Sequence, residues 1–435
     1  LREKLDVLLT RFVEAGGAAE GDEALTLVNA LSHPFEGVVH LPDHSEGTLQ
    51  LEDGSQHPIQ AHPGGGGWAS VQMPGLTACR AEVKQDTRTP NSRVEAGSWW
   101  LENESVRYEF DDSGRLVSAF HRGMNREMLE KGACGNRLCL YQDWPARWDA
   151  WDVDRPYRDQ LLEEAELVDA ELCEAGPLVV SLRFRWRVGE SELSQIVRLG
   201  AGSPRLDFET EAEWRETRKM LRVVFPVDVR TDRSTCEIQF GTYRRPTHDN
   251  TSWERAQFEV CAHRFADLSE VTHGVALLND CKYGHFLKGN LLDLNLLRSP
   301  VHPDPEADQG HHRFTYALFP HEGDFADGGV VAEAHRLNQP PVVLNDAVEL
   351  DLPVKLEAEG VVVETLKKAE NENALVVRLY EALGRREDCV LHADEAAELW
   401  KTNLMEERTA RIGMDANRAE LSFHPFEIKT VLVVS

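Results

Sequence analysis

The sequence predicts an all-β protein, in which a large antiparallel β-supersandwich is flanked by smaller β-sandwich domains and preceded by one helix left from a helical bundle. Three runs carry this prediction, because apolar and polar side chains alternate along residues 180–188, 193–199 and 206–214. Such alternation is typical of antiparallel strands with one buried face. The repeated exchange of strands and helices that a parallel sheet needs does not appear.

Changes in periodicity and clusters of turn residues predict four regions. The first residues follow a helical period, through Leu1, Leu5, Leu8 and Phe12. The predicted regions are 1–22, a helix of a helical bundle, which the family resemblance given below implies is the last one; 23–86, a small β domain; 95–330, the large β-supersandwich; and 340–435, a carboxyl-terminal β-sandwich. Within the last region, residues 392–408 are predicted to form one helix.

Composition excludes several classes of partner. The 435 residues carry a formal net charge of −28, so the chain repels phosphate backbones and anionic lipid surfaces. We therefore expect neither nucleic acid nor membrane partners. No apolar run is long enough for a transmembrane helix, and the first residues lack a basic region followed by an apolar stretch, so we expect neither a transmembrane helix nor a signal peptide. The eight cysteines form no Cys-x-x-Cys pair and are read as buried thiols in a reducing compartment, which predicts a cytoplasmic protein.

The richest constellation of functional side chains lies in residues 136–157. It combines three tryptophans with four aspartates, at positions Trp144, Trp148, Trp151, Asp143, Asp149, Asp152 and Asp154. A pyranose needs this mixture, because its apolar face stacks on aromatic rings while its hydroxyls bind carboxylates. Two prolines indicate a loop. In the alternative interpretation the tryptophans fill a core at a sheet edge and the aspartates cap turns.

Other motifs are less informative. Asp149 and Asp152 are an acid and base only if they flank the scissile bond, which their spacing does not show. Residues 298–312 contain metal-ligand side chains in a proline-rich stretch, but their spacing matches no established metal site, so we interpret them as a solvated or interface loop. His263 and His285 are interpreted as structural. No nucleotide-binding, nucleophile-elbow or zinc-protease motif is present.

Several stretches together resemble glycoside hydrolase family 38, in particular the cytosolic and vacuolar type of α-mannosidase. They are TLVNALSHPFEGVVHLP, LENESVRYEFDDSGRLVSAFHRGMNREML, GNRLCLYQDWPARWDAWDVDRPY, WERAQFEVCAHRFADLSE, GVALLNDCKYGH and LLRSPVHPDPEADQGHHRFTYALFPH. They follow the family order and cover nearly the whole chain. The WDAWD core is the most specific of them.

The resemblance implies part of a zinc-dependent, retaining exo-α-mannosidase. In this family the nucleophile, the acid/base and the zinc ligands belong to an amino-terminal barrel and helical bundle, which this sequence does not contain. We therefore assign no catalytic residue, no metal ligand and no cofactor to this chain, and expect zinc in the full-length enzyme. The chain alone is predicted to be inactive.

The resemblance also implies a site and partners. The large β domain of the family closes one side of the active-site cleft. The substrate-binding candidates carried over by position are Arg137, Asp143, Trp148, Asp149, Trp151, Asp152, Asp308 and Gln309. The expected partners are α-mannosides or mannose-containing oligosaccharides and the chain's own amino-terminal catalytic domain. The alternatives are a stand-alone carbohydrate-binding module, or a docking or homo-oligomerisation module, in either case without catalysis.

Overall fold

The computed structural model describes residues 24–86, 94–348, 350, 352–394 and 396–434. The helix predicted for residues 1–22 lies outside these described residues. The chain divides into two compact units. The first takes its residues from Leu1–Pro90, Gln239–Thr242 and Gln339–Ser435, and the second from Asn91–Ile238 and Tyr243–Asn338.

The described residues of the first unit form four antiparallel sheets, whose strands are numbered along the chain. One sheet runs in the order β28 (Val342–Leu344), β1 (Ala24–Asn29), β7 (Thr77–Lys84), β3 (Thr48–Leu51) and β4 (Gln56–Pro58). A second comprises β2 (Phe35–Leu41), β6 (Gly67–Met73) and β5 (Gln60–Ala61). A third comprises β29 (Lys355–Glu357), β32 (Glu387–His392) and β35 (Arg418–Phe423). The fourth runs β30 (Val361–Lys368), β31 (Leu375–Glu381), β36 (Ile428–Val434), β33 (Glu398–Thr402) and β34 (Arg408–Ile412).

The helix predicted for residues 392–408 is wrong. This stretch enters β33 and continues to the start of β34. Leu399 is fully buried opposite Val433, and Lys401 pairs with Val431 of the last strand. Pairing with the apolar strand β36 therefore overrides the helix propensity of the alanine- and glutamate-rich sequence.

The predicted domain boundaries remain a prediction. The first sheet contains strands from both the 23–86 region and the part of the chain beyond residue 340. Strand β28 lies beyond residue 340 but pairs with β1, through Thr26 opposite Leu344 and Val28 opposite Val342. The sheet that begins near residue 24 is therefore completed by a strand from the carboxyl-terminal part of the chain.

The second unit is a sandwich built on three sheets. A five-stranded sheet runs β12 (Arg126–Glu127), β11 (Leu116–His121), β10 (Val106–Phe110), β9 (Trp100–Glu102) and β8 (Glu95–Gly97). A six-stranded sheet runs β14 (Leu161–Glu164), β13 (Arg137–Gln142), β19 (Lys219–Pro226), β26 (Leu291–Arg298), β25 (Gly284–Phe286) and β22 (Val260–Cys261). A nine-stranded sheet runs β15 (Glu166–Ala175), β16 (Val179–Val188), β17 (Ser191–Gly200), β18 (Leu206–Trp214), β27 (Gly310–Glu322), β24 (His273–Asn279), β23 (Phe265–Ser269), β20 (Arg233–Ile238) and β21 (Gly241–Pro246).

The predicted alternation is confirmed in β16, β17 and β18, whose inward side chains are buried. They meet the six-stranded sheet in one apolar core. Phe208 stacks on Tyr316 with ring centroids 5.0 Å apart, and Phe225 of the facing sheet lies 5.7 Å from Phe208. Interdigitating inner faces of this kind define a β-sandwich, so the predicted all-β antiparallel class is confirmed.

A closed ring of polar side chains crosses this core. The Asn136 amide donates to Gln195 at 2.8 Å, the Gln195 amide donates to the Tyr316 hydroxyl at 2.8 Å, and that hydroxyl donates to Asn136 at 2.6 Å. All three residues are fully buried. A fully satisfied buried network fixes one arrangement of the two sheets, because any shift between them leaves polar groups unpaired.

Among the described residues, two short α-helices accompany the sheets, α1 (Ser252–Ala256) and α2 (Val330–Asn338). The first begins with a capping box in which Thr251 and Glu254 exchange side-chain and backbone hydrogen bonds. Within the described part of the chain, no helix combines the length and the hydropathy that crossing a bilayer requires.

Candidate functional site

The connection from β13 to β14 carries three exposed tryptophans within residues 143–154, which we call the tryptophan loop. Trp144, Trp148 and Trp151 are 66%, 63% and 68% exposed. The alternative interpretation, in which they fill a core at the sheet edge, is therefore wrong. An indole combines a large apolar face with a polar N–H group, so three of them in one short loop form a surface suited to stacking on another molecule.

Arg298 holds the two ends of the tryptophan loop together. It is the last residue of β26, and its guanidinium donates to the carboxylate of Asp143, in one contact at 3.2 Å, and to the backbone carbonyl of Asp152. Asp143 is buried, so this charge-assisted pair is shielded from water. One side chain from a rigid strand therefore closes the loop.

Arg218 holds the middle of the loop. It lies between β18 and β19 with a left-handed backbone, φ 52°. Its guanidinium pairs with Asp149 at 3.2 Å and lies 4.5 Å from the centroid of the Trp144 ring. Arg218 therefore joins both Asp149 and Trp144 to the segment between β18 and β19.

Hydrogen bonds within the loop fix its shape. The amide of Ala146 donates to the Asp154 carboxylate at 2.7 Å, and the amide of Trp151 donates to the Trp148 carbonyl at 2.8 Å. Trp148 has φ 60°, a costly conformation for a bulky side chain. Its ring meets that of Trp151 edge to face at 6.4 Å. The loop therefore presents both indoles in one defined arrangement.

Beyond the tryptophan loop, buried ion pairs fasten the chain to the six-stranded sheet. The 3₁₀ turn Arg155–Asp159 places Arg158 on Asp293. Asp293 also accepts from Nε of the fully buried Arg222 at 2.5 Å, and Arg222 pairs with Glu259 at 3.2 Å. Although burial by itself disfavours a charge, the carboxylates of Asp293 and Glu259 raise the pKa of Arg222, so it stays cationic.

The candidates Asp308 and Gln309 lie in the turn before β27. The Gln309 amide donates to the Thr217 hydroxyl at 3.1 Å, and Thr217 directly precedes Arg218. Gln309 is therefore close to the residue that anchors the tryptophan loop. Asp308 is exposed with φ 60°, and its carbonyl accepts from His312 at 2.7 Å.

Arg137 lies apart from the other candidates. It begins β13, whereas the tryptophan loop follows Gln142 at the other end of the strand, about 17 Å away at roughly 3.3 Å per residue. Arg137 pairs with Glu164, and the hydrogen bond to this carboxylate raises the pKa of the guanidinium. The candidates that Arg298, Arg218 and Thr217 bring into one region are Asp143, Trp148, Asp149, Trp151, Asp152 and Gln309.

Sequence reasoning missed the residues that position the loop. Arg218 follows a strand of alternating residues without any motif of its own. Arg298 is recognisable only as the first residue of a polar stretch. Their partners lie 69 and 155 positions away in sequence, so no local pattern reveals them.

Replacing Arg298 by methionine is expected to loosen the tryptophan loop and to lower the free energy of unfolding by about 3 kcal/mol, because the buried Asp143 carboxylate loses its partner. Hydrogen exchange at the amides of Ala146 and Trp151 should accelerate at least ~10-fold. The matched control is Arg187→Met, which removes an exposed pair with Glu166 and should cost less than about 1 kcal/mol. Equal exchange rates in both variants would show that Arg298 does not hold the loop.

Metal-ligand side chains do not converge in the described residues. Among them, no group of three or more His, Cys, Asp or Glu side chains is placed to hold a metal ion. The residues present therefore do not fit a zinc site, and no step of a reaction is assigned to a metal held by them.

The antiparallel sheets, with a separate apolar core in the second unit and others in the first, define a multi-sheet β-sandwich protein. Residues 101–306 match the profile of the glycosyl hydrolases family 38 C-terminal domain, and residues 360–431 match that of the family 38 C-terminal beta sandwich domain. The chain therefore belongs to glycoside hydrolase family 38 and corresponds to its carboxyl-terminal portion.

Curated relatives agree with this family. Alpha-mannosidase 2C1 of Mus musculus is 42% identical over 357 residues, which cover 78% of this chain and 34% of the relative. Alpha-mannosidase G of Dictyostelium discoideum is 35% identical over 342 residues, which cover 73% of this chain and 31% of the relative. The chain thus spans about one third of the length of these relatives.

A solved structure shares the fold. The crystal structure of an alpha-mannosidase from Enterococcus faecalis V583 superposes with a TM-score of 0.76 at 16% identity, over 98% of this chain and 58% of the other. At this identity the similarity establishes the arrangement of strands and nothing more specific.

Proposed function

We propose that this chain is the carboxyl-terminal β region of a retaining α-mannosidase that hydrolyses terminal α-D-mannosyl residues. Its relatives are named alpha-mannosidases. The observation that supports a substrate-binding site in this chain is the tryptophan loop. Its exposed indoles suit the apolar face of a pyranose, and its anchored carboxylates suit the hydroxyl groups. In this proposal the loop forms one wall of the active-site cleft.

The resemblance to the family suggests which half of the enzyme supplies the catalytic groups and which half orients the substrate. The nucleophile, the acid/base and the zinc ion belong to the catalytic half, on which this region packs. The tryptophan loop orients the mannosyl residue and excludes water from one side of it, because its preorganised shape avoids an ordering cost at binding. The substrates are mannose-containing oligosaccharides, and the protein acts in the cytoplasm.

The proposal is tested in a protein that joins this chain to its catalytic half. Trp148→Ala and Trp151→Ala should each reduce kcat/KM for an aryl α-D-mannoside by roughly tenfold, the equivalent of about 1.4 kcal/mol. The matched control is Trp253→Ala, which removes a tryptophan that is 77% exposed on α1. This control should leave kcat/KM unchanged.

Two results would contradict the proposal. One is an equal loss of activity in Trp253→Ala, because the effect would then not belong to the tryptophan loop. The other is zinc-dependent hydrolysis of the mannoside by the 435-residue chain alone, because the chain would then contain the catalytic groups that we assign elsewhere. The isolated chain is expected to give no turnover.

The exposed tryptophans also favour a second candidate function, a carbohydrate-binding module that acts without a catalytic partner. Calorimetry of the isolated chain with mannose and mannobiose separates the two. Half of a cleft buries only part of the ligand, so the first proposal predicts a Kd weaker than about 1 mM. Tighter binding that is lost in Trp148→Ala would favour the second candidate. Light scattering tests a third, self-association through the same surface.

A further inference from the structure

One stretch of chain, residues 161–172, forms an edge of both the six-stranded and the nine-stranded sheet, and we call it the apolar edge. β14 is the first strand of one sheet and β15 the first strand of the other, so each pairs on one side only among the described residues. Four large apolar side chains along it are between 42% and 62% exposed, namely Leu161, Leu162, Val168 and Leu172. Exposed apolar side chains in a row on a sheet edge are typical of an interaction surface.

Two β-bulges interrupt the apolar edge. The register of β14 on β13 skips Leu162, and the register of β15 on β16 skips Val168. A bulge redirects the side chain of its extra residue, and both of these side chains are exposed. Because a bulge also breaks the regular pairing of the backbone, this edge suits contact through its side chains rather than the addition of a further strand.

The opposite edges of the same two sheets are built differently. β22, at the far edge of the six-stranded sheet, is only two residues long. β21, at the far edge of the nine-stranded sheet, carries Arg244 and Arg245 and ends at Pro246. Short strands, charges and proline are the usual means by which a protein protects a sheet edge from other chains. In contrast, β15 is ten residues long and no proline interrupts the apolar edge.

The charged side chains of β15 on this edge are paired within the sheet. The pairs, all formed with β16, are Glu166 with Arg187, Asp169 with Arg185 and Glu171 with Arg183. A partner is therefore held here by apolar contact rather than by charge. A second copy of the chain is disfavoured as that partner, because two chains with a formal net charge of −28 repel each other.

The apolar edge begins beside the tryptophan loop. The amide of Gln142, directly before the loop, donates to the carbonyl of Gln160, directly before the edge, at 3.0 Å. In the proposed function the catalytic groups reach a sugar that stacks on the loop, so the half that carries them must lie against this part of the sandwich. The chain spans about one third of the length of its relatives, which leaves room for such a half. We propose that the apolar edge is the surface on which the catalytic half docks, an inference that rests on the proposed function.

Hydrogen exchange measured by mass spectrometry tests this inference in the protein that joins the chain to its catalytic half. Amides of residues 161–172 that exchange rapidly in the 435-residue chain should slow at least ~10-fold in the joined protein, because the docked half excludes water. The double variant Leu162→Lys, Val168→Lys places two charges in the contact and should abolish this slowing. The matched control is Leu404→Lys, which replaces a leucine that is 64% exposed between β33 and β34 and should retain it.

Urea denaturation of the 435-residue chain shows that the variants are folded. Because the replaced side chains are exposed, the double variant and the control should both unfold at the midpoint of the parent. A loss of slowing in the joined protein then reports on docking and not on the stability of the sandwich.

Three results would overturn the inference. They are equal exchange of residues 161–172 in the joined protein and in the 435-residue chain, slowing that survives the double variant, and slowing in the 435-residue chain that increases with its concentration, which would assign the edge to a second copy. The inference and the proposed function can fail separately. Reduced kcat/KM in Trp148→Ala without slowing at the edge would leave only the proposed function, and slowing without that reduction would leave only the docking surface.

Discussion

Replacing Asp293 by alanine is expected to lower the free energy of unfolding by about 3–5 kcal/mol. Asp293 is fully buried on β26 and neutralises two arginines, Arg222 within the sheet and Arg158 on the 3₁₀ turn. Without it, the guanidinium of Arg222 remains in the interior, and among the described residues only Glu259 is left as its carboxylate partner. Removing one member of a buried ion pair is costly because the other charge has lost its compensation and cannot reach water.

Urea denaturation measures this loss. The matched control is Asp228→Ala, which removes an exposed pair with Arg126 at 3.0 Å. That variant should change the free energy of unfolding by less than about 1 kcal/mol, because water screens the pair. If Asp293→Ala costs no more than the control, the buried pairs do not fasten the 3₁₀ turn to the sheet as we describe.

The second large effect is a dependence of stability on pH that comes from His285. This residue is fully buried on β25, and neither ring nitrogen has a hydrogen-bond partner among the described residues. Burial lowers the pKa of His285 to about 3, assisted by the nearby positive charges of Arg222 and Arg245. In the unfolded chain the pKa is about 6.5.

Whether stability rises or falls with pH depends on which state of the chain, folded or unfolded, binds a proton at His285. Above pH 6.5 the imidazole is neutral in both states and contributes no pH dependence. Between pH 6.5 and about 3 the unfolded chain is protonated at His285 and the folded chain is not, so stability falls as the pH falls. The slope from this one residue is about 1.4 kcal/mol per pH unit.

Unfolding measurements at pH 7 and pH 5 test this expectation. Between pH 7 and pH 5 the free energy of unfolding of the parent chain should fall by about 2 kcal/mol more than that of the His285→Leu variant. His311→Gln is the control, since His311 is an exposed histidine paired with Glu213. It should lose stability as the parent does. Parallel pH profiles for the parent and His285→Leu would show that the buried imidazole takes up its proton in the folded state.

The fold was predictable for strands that have one buried and one exposed face, because this arrangement leaves an alternating pattern in the sequence. Leu182 and Phe184 alternate with charged residues because β16 has one face in the core and one in water. The fold was not predictable for segments whose secondary structure depends on pairing with a strand that is distant in sequence. Leu399 sits in a sequence that favours a helix, and only its pairing with β36 makes it part of a strand. The partner of β1, in β28, likewise cannot be read from either segment.

The candidate site was predictable in part for the same reason. Its tryptophans and aspartates are adjacent in sequence, so their composition marks residues 143–154 as a polar and aromatic loop. Their exposure is set by Arg218 and Arg298, whose contacts to the loop are tertiary. Arg137 is close in sequence but lies at the other end of a strand, because an extended chain separates residues rapidly.

Strand β28 has a consequence for synthesis on the ribosome. Strands β1, β3 and β7 are complete by Lys84, whereas β28 ends at Leu344, about 260 residues later. At roughly 5–20 residues per second, these residues take on the order of 10–50 s to be made. During that time one side of β1 offers unpaired N–H and C=O groups to other nascent chains. A chaperone that shields this edge during translation should therefore increase the yield of correctly folded protein.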